Sequence, residues 1–119
     1  MREKILVYDN SIGYAKYFEK TYKKKYEVAL ACDCNDFKKI DVFYFDSIIF
    51  IINELEELLL FSKINSSYKG IRLFLGVTQK KIATKVHDLN LKDVYHINTE
   101  LNKTDIVSYI NSKLKMELA

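Results

Sequence analysis

The sequence predicts an α/β fold, a three-layer α/β/α sandwich around a five-stranded parallel sheet, and three observations carry that reading. Short apolar runs rich in β-branched and aromatic residues recur at 4–8 (KILVY), 26–31 (YEVALA), 47–52 (SIIFII), 71–77 (IRLFLGV) and 93–97 (DVYHI). Most lack strict apolar/polar alternation, the pattern of strands covered on both faces. Segments with apolar residues at helical spacing separate them, so strand and helix alternate along the whole chain. A crossover between parallel strands is right-handed and lays its helix on a sheet face, which gives the sandwich.

Each element follows in order. After the first strand, Tyr14, Tyr17, Phe18, Thr21 and Tyr22 fall on one helical stripe, flanked by Lys16, Glu19, Lys20 and Lys23. After the second, DCND offers Asp33, Asn35 or Asp36 as the cap of a short helix near Asp36 to Ile40. The connection DVFYFDS (41–47) carries Val42, Phe43, Tyr44 and Phe45, a bulky apolar run expected to be buried over the bottom edge of the sheet, with an exposed sticky surface as the alternative. The third strand runs out at Asn53, which reads as the N-cap of a helix marked by Leu55, Leu58, Leu59 and Ser62, with Glu56 completing a capping-box arrangement. Thr78 reads as the N-cap of a fourth helix carrying Ile82, Ala83, Val86 and Leu89. Thr104 opens the last helix, marked by Ile106, Val107, Ile110 and Leu114.

The totals bound the function classes. A chain of 119 residues is one domain by size, 1–119, and 49% hydrophobic with 29% charged residues is ordinary for a globular protein. A net charge of +3 is too small to argue for nucleic-acid binding. No export signal precedes the first strand, and the longest apolar stretch, 48–61, is interrupted by Glu54, Glu56 and Glu57, so a cytoplasmic protein without a membrane helix is expected. The cysteines Cys32 and Cys34 form a lone C-x-C pair, a poor metal signature, and are expected to be reduced. There is no proline, and no repeat or low-complexity segment.

For the flavodoxin-like strand order 2-1-3-4-5, the ligand crevice lies beyond the carboxyl ends of strands one and three. That rule singles out Asp9, Asn10 and Ser11; Asn53 and Glu54; Thr78 and Gln79; and Asn98 and Thr99. In length and element order, and in KILVYDNS above all, the chain resembles the receiver domain of bacterial two-component response regulators. The resemblance implies an acidic pair after strand one that helps hold Mg²⁺, and an aspartate ending strand three that accepts a phosphoryl group. It also implies a Ser or Thr after strand four and a Lys after strand five that read the new charge. A phosphoryl group brings roughly two negative charges, which a hard cation with oxygen ligands neutralises.

This chain departs from that pattern in three places at once. Asp9 is followed by Asn10, so one carboxylate is an amide; strand three offers Ile51 or Asn53, neither able to form an acyl phosphate; and Ile97, Asn98 or Thr99 stands where the lysine is expected. Thr78 fits the hydroxyl position, with Val77 there under a one-residue shift, and Tyr95 lies near the aromatic that rotates on activation in the family. The expectation is a pseudo-receiver that signals without phosphorylation: a stand-alone module, not an enzyme, acting on a protein partner. Its docking face is placed on the fourth helix, fifth strand and fifth helix, with Lys85, Tyr95 and Tyr109 as members, and a homodimer is expected by analogy. Mg²⁺ binding is expected only weakly, at Asp9.

Other readings stay open beside it. A Mg²⁺-dependent phosphoacceptor would use Glu54 or Asp9, or bring Asp46 closer. NSIGYA, with Ser11 and Gly13, is a sparse match to a flavodoxin phosphate loop, so flavin or nucleotide binding is a lesser alternative. The tyrosine stripe beside Lys23, Lys24 and Lys25 suits core packing and a helix C-terminus better than a base-stacking surface. His87 and His96 carry no local signature of phosphotransfer.

Overall fold

The computed structural model describes residues 2–11, 13–67 and 70–115. Its strands are β1 (Lys4–Asp9), β2 (Glu27–Ala31), β3 (Ser47–Ile52), β4 (Arg72–Val77) and β5 (Val94–Ile97). They form one parallel sheet in the order β2-β1-β3-β4-β5. The helices are α1 (Gly13–Tyr22), α2 (Cys34–Lys38), α3 (Leu55–Ser67), α4 (Lys80–Leu89) and α5 (Lys103–Leu114), with a 3₁₀ turn at Val42–Tyr44.

Alternation along the strands sorts the core into two layers. Leu6 and Tyr8, Ile48, Phe50 and Ile52, and Leu73 and Leu75 pack with Phe37 of α2, Leu58, Phe61 and Ile64 of α3, and Ile82 and Val86 of α4. Their neighbours Ile5, Val7, Ile49, Ile51 and Phe74 pack on the other face with Ala15, Phe18 and Tyr22 of α1 and Ile106, Ile110 and Leu114 of α5. All six residues of β3 are buried, as the middle strand of a doubly covered sheet requires. β5 is an edge strand, paired only with β4, and three of its four residues keep some exposure.

Close packing explains one glycine. A Cβ on Gly76 would lie 2.9 Å from Ile51 Cδ1 and 3.1 Å from Thr99 Cγ2, because those two side chains fill the space beside β4 there. At the opposite end of the sheet, the buried Arg72 guanidinium reaches Glu3 Oε1 at 3.0 Å and the Leu114 carbonyl at 3.1 Å, tying β4 to the N-terminal segment and α5.

Several local expectations are corrected. The buried stripe of α3 is Glu57, Leu58, Phe61 and Ile64, while Leu55 and Leu59 are exposed; the helix is rotated so that a glutamate faces inward. Of the run 42–45, Val42 and Phe45 are buried but Phe43 and Tyr44 are 69% and 50% exposed, because the 3₁₀ turn sends them outward. α4 follows Gln79, not Thr78, and α5 is capped by Asn102, whose Oδ1 accepts from Asp105 N at 2.8 Å. The short α2 begins earlier than expected, capped by Asp33, which accepts from Asp36 N at 2.7 Å.

Candidate functional site

The residues just past β1, β3 and β4 meet at the carboxyl edge of the sheet. Register brings them there: Asp9 pairs with Ile51, and Ile52 with Val77. Asp9 is fully buried, and both its oxygens are engaged. Oδ1 accepts from Ser11 N at 3.1 Å, Ser11 Oγ at 2.8 Å and Asn53 Nδ2 at 2.9 Å. Oδ2 accepts from Tyr14 N at 2.8 Å and Ala15 N at 3.3 Å. The carboxylate therefore satisfies first-turn N–H groups of α1, where helix dipole and unpaired donors favour an anion.

Asn53 is the hub. Its Nδ2 also donates to Asn10 Oδ1 at 2.8 Å, and its Oδ1 accepts from Thr78 Oγ1 at 2.7 Å. One amide side chain thus joins the ends of β1, β3 and β4. The expected N-cap role for Asn53 is replaced by this bridge, and the helix end is served by a different residue. Glu57 Oε1 accepts from the backbone N–H of Asn53 at 2.8 Å and of Glu54 at 2.9 Å, so the reach-back glutamate is Glu57 instead of Glu56.

Beneath that turn, Glu57 is 1% exposed and its Oε2 accepts the Tyr8 hydroxyl. The same hydroxyl lies 3.5 Å from Cys34 Sγ. Burial, then the Cys34 thiol and the Glu57 carboxylate, pushes the Tyr8 phenol far above its ordinary value. Neither Tyr8 nor Glu57 stands out in the sequence as a site residue: Tyr8 reads as strand and Glu57 as one of three glutamates on an exposed helix start.

The other candidates are placed as follows. Glu54 is exposed, and the neighbouring Glu56 side chain, before a small desolvation effect, holds its carboxyl above the ordinary carboxylate value. Asn98 is exposed and folds onto its own loop, accepting from Glu100 N at 3.0 Å, while Thr99 Oγ1 donates to the Val77 carbonyl at 2.7 Å. Asp46 lies at the opposite edge of the sheet, where its carboxylate accepts from Lys4 N at 2.8 Å, away from the bridge. Tyr95 lies on the α5 side of β5, its ring 5.2 Å from Phe74, and the Lys113 ammonium sits 5.5 Å from both the Tyr95 and Tyr109 rings. Burial, and Tyr95 beside it, raises the Tyr109 phenol above its ordinary value. Lys85 is exposed on α4, across β5 from that aromatic pair.

The strand residue facing α4 is His96, not Tyr95. It lines a cleft of about 680 Å³ between α4 and β5, with Leu75, Val77 and Val86 among the apolar lining residues and Lys80, His87 and Thr78 among the polar ones.

Divalent-cation binding and anion binding can be judged against these bonds. A hard divalent ion takes several oxygen ligands at once. Here the Asp9 and Asn10 oxygens point at the NH₂ of Asn53, a donor with partial positive charge, and Asp9 already accepts five hydrogen bonds. The arrangement does not fit Mg²⁺. Among the described residues no group of three or more His, Cys, Asp or Glu side chains is gathered as a metal site. The N-terminus of α1, where a flavodoxin-like loop would take a phosphate, is filled by Asp9, and the Ser11 hydroxyl points to that carboxylate.

No protein-family model and no curated protein matches the chain. Solved structures do. A CheY-like response regulator receiver domain protein from Methanospirillum hungatei JF-1 superposes with a TM-score of 0.71 at 18% identity, covering 96% of this chain and 94% of that one. The chain has the receiver fold. An orphan response regulator of H. pylori (TM-score 0.65, 13% identity, 97% and 100% covered) and a response regulator protein from Burkholderia multivorans (0.60, 17%, 100% and 100%) share it. Within the receiver fold, the Asp9–Asn53–Thr78 cluster occupies the carboxyl-end crevice that the strand order creates. Among the described residues no helix is long and apolar enough to cross a membrane.

Proposed function

We propose that the protein is a receiver-like signalling module that acts by binding another protein and takes no phosphoryl group on an aspartate. The observation that carries this reading is Asn53 at the end of β3, its amide bonded at once to Asp9, Asn10 and Thr78. An amide is no nucleophile toward a phosphoryl donor, and its NH₂ holds the oxygens a cation would need. Asp9 is a poor substitute nucleophile, because it is fully buried and its lone pairs are committed to donors. Glu54 is exposed, its carboxyl beside the Glu56 side chain and the Asn10 amide.

With no chemistry assigned to the pocket, the function is carried by a surface. The edge around β5 supports that role: Lys85 on α4, Tyr95 on β5 and Tyr109 on α5 flank it, and the cleft lined by His96 opens beside them. Output then comes from docking in trans or from self-association into a dimer, inside the cell, with no catalytic step.

The test is chemical. Purified protein incubated with Mg²⁺ and acetyl phosphate, then examined by intact mass before any acid treatment, is expected to keep its mass. A stoichiometric phosphoryl adduct labile to hydroxylamine would overturn the reading and favour the metal-dependent phosphoacceptor through Asp9 or Glu54.

A further inference from the structure

We propose that the cleft between α4 and β5 binds a small organic anion, an elongated apolar body with a carboxylate at one end. The site goes beyond the docking reading and does not depend on it, since it asks only for the shape and charge of the cleft itself.

The cleft holds about 680 Å³, which falls within the range of small-molecule sites, roughly 300–1,000 Å³. Leu75 and Val86, both buried, and the half-buried Val77 give it an apolar lining. Lys80, Ala83 and His87 stand at i, i+3 and i+7, so one face of α4 forms a wall, and His96 lines the cleft from β5. Lys80 and His87 are two turns apart, roughly 10 Å along the helix axis, which sets the length of the body.

The charge of that wall calls for an anion. Lys80, His87 and His96 line the cleft against a single acidic lining residue, Glu100, and α4 as a whole carries Lys80, Lys81 and Lys85 against Asp88. Among the described residues, the Lys80, His87 and His96 side chains take no hydrogen bond or ion pair. By contrast, Lys4, Lys103 and Lys113 lie over tyrosine rings. Lys80 and Lys81 also open α4, whose first turn has no acidic residue and whose N-cap, Gln79, makes no side-chain cap bond. Two cations therefore face the positive end of the helix dipole, and a carboxylate beside Lys80 relieves that repulsion.

Both parts of the ligand are needed. An inorganic anion at Lys80 would leave the Leu75, Val77 and Val86 surface in water, and an uncharged apolar molecule would leave the ammonium without a partner. A molecule with its carboxylate at Lys80 and its body laid along Ala83 and Val86 toward His87 answers both.

Amide NMR titration of the labelled full chain with 4-phenylbutyrate, and with its uncharged amide 4-phenylbutyramide, tests the site. The comparison runs on the wild type, Lys80→Gln and Ala83→Leu; both positions are exposed, so neither change disturbs the core. The expected result is saturable shifts at Lys80, Ala83, Val86 and His96 with the acid, and severalfold weaker binding of the amide. Lys80→Gln should weaken the acid severalfold and leave the amide as it was, and Ala83→Leu should weaken both by narrowing the cleft. Absence of saturable shifts up to the solubility limit of the acid would overturn the proposal, as would shifts centred away from α4 and β5. Equal binding of acid and amide, or an acid affinity unmoved by Lys80→Gln, would also overturn it, since the cleft would then be an apolar surface without a carboxylate site.

Discussion

Asn53 Nδ2 lies 2.9 Å from Asp9 Oδ1, so β3 ends by offering a proton donor to the buried carboxylate that ends β1. The pairing makes Asp9 a structural acceptor for two strand ends and a helix. Asp9→Ala is expected to leave the N–H groups of Tyr14 and Ala15 and part of the Asn53 amide without partners. The expected cost is about 1–3 kcal/mol of stability, read from urea unfolding. A loss confined to a few tenths of a kcal/mol would show that water replaces the carboxylate.

Tyr8 and Glu57 act as one unit. Removing the phenol hydroxyl leaves Glu57 Oε2 buried without that donor, and removing the carboxylate leaves the Tyr8 hydroxyl and two backbone N–H groups short of an acceptor. Tyr8→Phe and Glu57→Ala are each expected to cost about 1–3 kcal/mol. The double variant should cost less than the sum of the two, with a coupling of roughly 0.5–3 kcal/mol in a double-mutant cycle. Additive losses would mean that the two side chains do not share an interaction.

Alkaline pH should destabilise the fold through its buried phenols. Burial raises Tyr8 and Tyr22 above their ordinary value, and the Tyr22 hydroxyl also donates to Asn111 Oδ1 at 3.0 Å. In the unfolded chain such phenols ionise near pH 10, roughly their free value. The folded chain still holds these protons there, so the unfolded state binds fewer protons and stability falls as pH rises above that point. Below it the contribution is fully present. Melting temperatures across the alkaline range should drop, and Tyr22→Phe should flatten the drop; an unchanged slope would place the alkaline sensitivity elsewhere.

Gly76 tests the packing between strand ends. A methyl group there meets Ile51 Cδ1 at 2.9 Å and Thr99 Cγ2 at 3.1 Å, and both atoms belong to side chains held on neighbouring strand ends. Gly76→Ala is expected to cost about 1–3 kcal/mol through overpacking, measured by thermal or urea unfolding. A neutral substitution would mean that Ile51 and Thr99 yield freely.

The strands were readable because burial on both faces writes a continuous apolar run, and the observed limits of β3 are those of SIIFII. Strand order followed from the alternation of elements and the handedness of crossovers. Helix ends were harder, since Thr78, Asn102 and Thr104 all suit a cap, while α4 opens at Gln79, which makes no side-chain cap bond. At the site, position led reasoning to Asp9, Asn10, Asn53 and Thr78, which do meet, and also to Asn98, which turns to its own loop. The inward rotation of Glu57 was not legible. ELEELLLF gives three glutamates of one type, and which one reaches back depends on where the Tyr8 hydroxyl lies across the sheet. Which faces Tyr95 and His96 take was not legible for a similar reason: on a short edge strand, residues of either parity keep some exposure, so burial leaves no clear mark on the sequence.

The most direct test of the central claim is an amide NMR titration of the isotopically labelled protein with Mg²⁺ and then beryllofluoride, a mimic of the acyl phosphate. The account predicts a spectrum that stays put around Asp9, Asn53 and Thr78 and along α4 through both additions. Saturable shifts that begin at Asp9 and Asn53 and spread through Thr78 to His96 would contradict it, showing a pocket that still binds a cation and a phosphoryl group.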